Sequence, residues 1–184
     1  MTDKIYASTR RQAIAGAVMI FAGMAMRPAE LSAEAKEIAN TAESIHQETL
    51  YKASRNRVFD ALTETSQFDR IIRIGTGGDI SALGNKPTAI SRDEGGSFTI
   101  FGGHILGRQI ELVPNERIVQ AWRVVDWAPG IYSIAKFELM EQGAETKIVF
   151  DHTGFPPGLG QHLADGWKSH YWEPLKKFLA GTSN

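Results

Sequence analysis

The sequence predicts an α+β domain in which a curved antiparallel β-sheet is held around one long C-terminal α-helix. Two observations predict it. From Leu159 the large apolar side chains recur at Leu163, Trp167, Tyr171 and Leu175, and Phe178 and Leu179 close the row. Spacing of four puts them on one helix face, and a face this rich in rings must be buried. Upstream, residues 97–152 read as successive β-like segments joined by short turns, and short connections make neighbouring strands antiparallel. A sheet closed on a single helix tends to leave a hollow between the two, which is where function would sit.

A chain of 184 residues is long enough for one domain with a sizeable core. Apolar content of 42% and charged content of 22% are ordinary for a globular protein. The net charge of -1, with basic residues scattered, provides no field for nucleic acid or an anionic membrane. The absence of cysteine excludes disulfides, thiolate catalysis and thiolate metal sites.

Residues 1–35 read as a twin-arginine-like export signal. Arg10 and Arg11 precede a mild, uncharged apolar run from Ala13 to Met26, followed by Arg27 and a small-x-small site at Ala33-Glu34-Ala35. The run is shorter than the roughly twenty residues a membrane span requires, so the mature chain is expected to carry no stable span. The expected location is therefore periplasmic or otherwise exported, with a cytoplasmic N-terminal helix as the alternative. Residues 36–43 read as a linker, and 44–184 as the domain.

Within the domain, Ser44 to Tyr51 sets Ile45, Gln47, Thr49 and Tyr51 against His46, Glu48 and Leu50, a strand pattern. Ser54 is a suitable N-cap for a helix over Arg55 to Leu62, and Thr65 or Ser66 can open a second one carrying Phe68, Ile71 and Ile72. Gly75 to Gly84 reads as a loop at the cavity mouth; it lacks the lysine and the following helix of a phosphate-binding loop. Strands are expected over residues 97–101, 104–113, 117–126, 131–140 and 145–152, with turns at Gly102-Gly103, Pro114-Asn115, Pro129-Gly130 and Gly143. The final helix follows Pro156-Pro157-Gly158. Pro174 is expected to kink it, because proline cannot donate to the carbonyl of His170 and collides with it. Gly166 is expected to let the helix approach the sheet closely.

The histidines form no HExxH or other tight ligand pair. His162 and His170 lie two turns apart on a similar face and could meet His104. Asp151 and His152 are adjacent on a strand, hence on opposite faces, and make a poor dyad. A general base for cavity chemistry could come from Asp126, Asp151 or His104. Trp122 and Arg123 cannot both face inward. Trp167 belongs to the packed face, whereas Tyr171 and Trp127 combine a flat apolar body with a polar tip. The cavity candidates are Phe101, His104, Trp127, Trp167 and Tyr171, with no catalytic residue, metal ligand or cofactor assigned.

The runs Phe98-Thr99-Ile100-Phe101-Gly102-Gly103-His104-Ile105-Leu106-Gly107, Glu111-Leu112-Val113-Pro114, Ile118-Val119-Gln120-Ala121-Trp122-Arg123 and Asp126-Trp127 resemble the activator of heat shock protein 90 ATPase homologue family. So do Gly166-Trp167, Tyr171-Trp172-Glu173 and Pro174-Leu175-Lys176. That family lies within the START-like, or SRPBCC, superfamily. The resemblance runs from Ser44 to Ala180, and the eukaryotic activators share it only in their C-terminal domain. It implies a helix-grip fold, in a superfamily that hosts lipid carriers, polyketide cyclases and protein binders. The expected function is binding of a small apolar or aromatic ligand between sheet and last helix, without established catalysis. The alternatives are a protein-binding module of the chaperone-activator type and a cavity enzyme of polyketide-cyclase type.

Overall fold

Seven antiparallel strands pair in the order β1-β7-β6-β5-β4-β3-β2, and one long helical rod lies against their inner face. The computed structural model describes residues 43–79 and 84–181. The signal-like segment and all of the expected linker except Glu43 lie outside the described residues, as do residues 80–83. The strands are β1 (Ser44–Tyr51), β2 (Ala89–Ile90), β3 (Ser97–Ile100), β4 (Ile105–Val113), β5 (Arg117–Val124), β6 (Ser133–Gln142) and β7 (Glu145–Thr153). Two short helices, α1 (Arg55–Thr63) and α2 (Thr65–Gly75), fall between β1 and β2. The rod is α3 (Gly160–Gly166), a π-helical segment Trp167–Trp172 and α4 (Glu173–Gly181). This is the helix-grip arrangement.

Alternation decides which side of each strand is buried. On β7, Thr146, Ile148, Phe150 and His152 point inward, while Asp151 faces out, beside His46 and Lys136. On β5, Trp122 points inward and Arg123 outward, where its guanidinium donates to the carbonyls of Val124, Val125 and Trp127 and so holds the β5–β6 connection. Burying Trp122, Phe137, Ile148, Phe150, Trp167 and Leu175 together supplies the main stabilisation. Two glutamines join this apolar interior. Gln120 donates to the Gln109 carbonyl at 3.2 Å, and Gln109 donates to the carbonyl of Ser91 at 3.2 Å, so neither amide is left without a partner.

Gly107 sits in β4 between Phe98 on β3 and Trp122 on β5. A Cβ added there would collide with the Ala121 carbonyl oxygen and the edge of the Phe98 ring. The glycine is required by close approach, not by its backbone angles. Gly107→Ala is expected to cost about 1–3 kcal/mol or more, since a carbonyl in the ladder cannot step aside. Equilibrium urea unfolding checks this; an unchanged midpoint would mean that the sheet relaxes at no cost.

The final rod departs from expectation in three ways. Before Pro174 the turn widens: Glu173 N–H bonds the carbonyl of Lys168, five residues back. A π-turn makes room for a ring that would otherwise collide with the carbonyl four residues earlier. Side chains satisfy carbonyls at its entrance, Gln47 Nε2 bonding Ala164 O at 3.0 Å and Ser169 Oγ bonding Asp165 O at 2.9 Å. The wider turn also brings Trp172 inward beside Trp167 and Tyr171, broadening the buried face beyond the four-residue row. Finally, Gly166 does not mediate close packing: no atom lies within 4 Å of where its Cβ would be.

Smaller differences have local causes. Strand β2 was not expected, being only two residues long. Strand β3 ends at Ile100, and Phe101 itself enters the turn with φ of 51°. The expected loop from Gly75 to Gly84 begins one residue later: Gly75 is the last residue of α2 and packs on Pro174, 2.8 Å separating an added Cβ from the proline ring, while Thr76 to Gly78 form a turn. Among the described residues no helix is long and apolar enough to cross a membrane.

Candidate functional site

Between the sheet and the first half of the final rod lies a cleft of about 360 Å³. This is within the range of small-molecule sites, roughly 300–1,000 Å³. The floor is buried and apolar: Phe101, Ile105, Trp122, Leu163, Trp167 and Tyr171. The rim is exposed and polar: His104 from the β3–β4 turn, and His162, Asp165, Ser169 and His170 from the rod. Gly166 opens one wall, because a side chain there would occupy the hollow.

Each floor residue is placed by its element. Ile105 and Trp122 sit on the inner faces of β4 and β5. Phe101 is held with positive φ, a strained setting for a bulky side chain, which turns its ring toward Tyr171 at 5.3 Å and Phe68 at 6.0 Å. Trp167 and Tyr171 come from the π-turn, their ring centroids 4.1 Å apart.

Behind the floor runs a buried polar chain. Trp167 Nε1 donates to His152 Nδ1 at 2.9 Å. An indole nitrogen only donates, so the neutral imidazole carries its proton on Nε2 and donates to Ser133 Oγ at 2.7 Å. Ser133 in turn donates to the carbonyl of Trp122 at 2.9 Å. Burial pushes the His152 pKa from 6.5 down to about 4. With both ring nitrogens engaged inside the protein, His152 is a structural group that fixes Trp167.

Four of the five expected cavity residues, Phe101, His104, Trp167 and Tyr171, line the cleft. Trp127 does not: it is half-buried on the β5–β6 connection and packs edge-on against Trp122, centroids 5.6 Å apart. The fold does bring His104, His162 and His170 to one rim, yet among the described residues no group of three or more such side chains could hold a metal ion. Of the three candidate bases only His104 reaches the cleft. Asp126 is exposed on a turn, and Asp151 is spent on the outer face, 2.7 Å from His46 Nδ1. The sequence reading did not assign Trp122, Ile105, Asp165 or Gly166 to the cleft. The alternation of Trp122 with Arg123 was the available signal for the first.

A second depression, of about 750 Å³, lies beside α2 and is larger. Its walls are polar and charged, with Asp69 paired to Arg73 and Glu64 to Arg92. No aromatic ring lines it, and it is the weaker site.

A helix-grip domain with an aromatic-floored cleft under its last helix is the class these features define. The family described as "Activator of Hsp90 ATPase homolog 1-like protein" matches residues 52–180, and the chain belongs to that family. It is a branch of the START-like, or SRPBCC, superfamily. The human activator of 90 kDa heat shock protein ATPase homolog 1 is 26% identical over 98 residues, covering 53% of this chain and 29% of the human protein. The chain thus spans less than a third of the length of that relative. Among solved structures, an HSP90 activator from Plasmodium falciparum superposes with a TM-score of 0.64 at 22% identity, over 74% of this chain and 96% of that one. CalU16 from Micromonospora echinospora gives 0.60 at 20% identity, over 76% and 77%. At such identities the likeness establishes the shared fold.

Proposed function

We propose that the domain binds a small apolar or aromatic molecule in the cleft between sheet and final rod. The observation that carries this reading is the contiguous ring-lined floor of Phe101, Trp122, Trp167 and Tyr171, open beside Gly166. Apolar concave surface with a few convergent polar groups is the usual form of a small-molecule site. The domain acts as a carrier or sensor, and no catalytic step is assigned to it.

Native mass spectrometry of protein purified from its own host tests this. A small molecule is expected to remain bound and to be released on denaturation. Gly166→Leu should fill the hollow, because nothing lies within 4 Å of the Cβ position, and should abolish retention of the molecule. The variant is expected to keep or raise its melting temperature, since a residue with a side chain replaces glycine at helical angles (φ −61°, ψ −45°). Wild-type protein with a bare polypeptide mass would overturn the reading.

The same spectrum tests export. We propose removal of the segment ending near Ala35 after transport through a twin-arginine-type route. Arg10→Lys with Arg11→Lys should then accumulate the full-length mass, and a full-length mass in the wild type would sink the idea.

A second reading is a protein-binding module that raises the ATPase activity of a heat-shock-protein-90-type chaperone, favoured by what the human relative is named for. Stimulation of the host chaperone's ATPase by the purified chain, undiminished in Gly166→Leu, would support it over the ligand reading.

A further inference from the structure

Tyr171 carries a donor that no described residue engages. Its phenol oxygen lies 3.4 Å from Trp122 Nε1. Because the indole nitrogen can only donate, the Tyr171 oxygen is the acceptor of that bond, and its own proton points elsewhere. Among the described residues no carbonyl, carboxylate or hydroxyl accepts that proton. The residue is 6% exposed, so bulk water offers little compensation. A buried O–H without an acceptor is costly, and each such group in a folded protein needs a reason.

The surroundings narrow what that reason is. The hydroxyl lies beside Trp122, and both residues line the cleft; Tyr171 also borders, with Gln120, a void of about 10 Å³. Of the two spaces, only the cleft borders both partners of the Trp122–Tyr171 bond. Rings of Phe68, Phe101 and Trp167 lie 5.6, 5.3 and 4.1 Å from the Tyr171 ring. No lysine or arginine is among the described residues lining the cleft. An anion at the floor would meet no fixed cation, and the burial that raises the Tyr171 pKa would oppose its charge as well.

Building on the cleft-binding reading, we propose that the occupant is a neutral aromatic or polycyclic molecule bearing a carbonyl oxygen, which accepts the Tyr171 O–H at the cleft floor while its rings lie among Phe101, Trp122 and Trp167. The exposed rim of His104, His162 and His170 stays solvated over the other end of the molecule.

Equilibrium dialysis with two probes tests this: 2-acetylnaphthalene, and 2-isopropenylnaphthalene, in which CH₂ replaces the carbonyl oxygen. Wild-type protein is expected to prefer the ketone by about tenfold, the effect of one buried hydrogen bond. Tyr171→Phe is expected to bind the two probes equally, and Gly166→Leu neither. A preference undiminished in Tyr171→Phe, or no preference in the wild type, overturns the donor assignment. If Gly166→Leu still blocks binding in those cases, the cleft reading survives. Probes that do not bind the wild type, or that bind Gly166→Leu equally well, overturn the cleft reading and this inference with it. The wild-type comparison needs no substitution, so a poorly folded variant would not shield the inference from failure.

Discussion

Trp167→Ala is expected to destabilise the domain by about 3–5 kcal/mol, measured as a fall in the free energy of urea unfolding. The side chain is 2% exposed. Its ring lies 4.3 Å from Phe150, 4.1 Å from Tyr171 and 5.6 Å from Trp122, so truncation leaves a hole bounded by three elements that cannot all collapse into it. A second cost adds to the cavity. His152 Nδ1 loses its donor while remaining fully buried, and an acceptor left without a partner in such a place costs about 1–3 kcal/mol. Trp167→Phe restores much of the volume but not the donor, and should recover only part of the loss. A melting temperature unmoved by Trp167→Ala would show that the π-turn does not face the sheet.

Acidification is expected to remove about 3 kcal/mol of stability between pH 6.5 and about 4, through His152. In the unfolded chain its imidazole titrates near 6.5, whereas burial lowers the folded value to about 4. As pH falls through that window the unfolded state takes up a proton that the native state refuses, so stability is full above 6.5, declines to about pH 4 and then levels off for this group. The size follows from about 1.4 kcal/mol per pH unit over the interval. Asp151 acts in the same direction but lower down. A hydrogen bond with His46 depresses its pKa, so its contribution is present above the usual carboxylate value and is lost only as pH falls below it. Urea titrations at pH 7, 6, 5 and 4 on wild type and His152→Leu separate the two. The variant is less stable throughout, but its slope between 6.5 and 4 should be flattened; an identical slope would assign the acid sensitivity to other groups.

The fold was legible because its signals are local. The four-residue row from Leu159 to Leu175 and the alternation along β1, β5 and β7 each specify a face without knowledge of the partner. That Trp122 points in and Arg123 out, and that Asp151 and His152 part company, follow from the same period of two. The site was legible only in outline. A row at positions i and i+4 is compatible with an α-turn or a π-turn, so the inward swing of Trp172 left no mark on the spacing. Glycine in a helix can mark either a close approach or an empty space, and only the facing element decides; at Gly166 it is space. Trp127 was expected to line the cavity because of its chemistry, yet it belongs to a connection whose course is set by three carbonyl bonds from Arg123. The buried pair Gln109 and Gln120 is legible only once β4 and β5 are aligned, because Gln120 donates to Gln109 across the ladder while Gln109 donates to the carbonyl of Ser91.

Glu43 precedes β1 and reaches across to the start of the final rod, its two carboxylate oxygens accepting the backbone N–H groups of Gly158 at 2.5 Å and Gly160 at 2.9 Å. The beginning of the described chain and the start of the final rod are therefore latched by one side chain, at the foot of the wall that encloses the cleft. The practical border of a transplantable unit is Glu43 and not Ser44. An expression fragment one residue shorter would keep every strand, yet the first turn of its final rod would lose both bonds and fray beside the pocket.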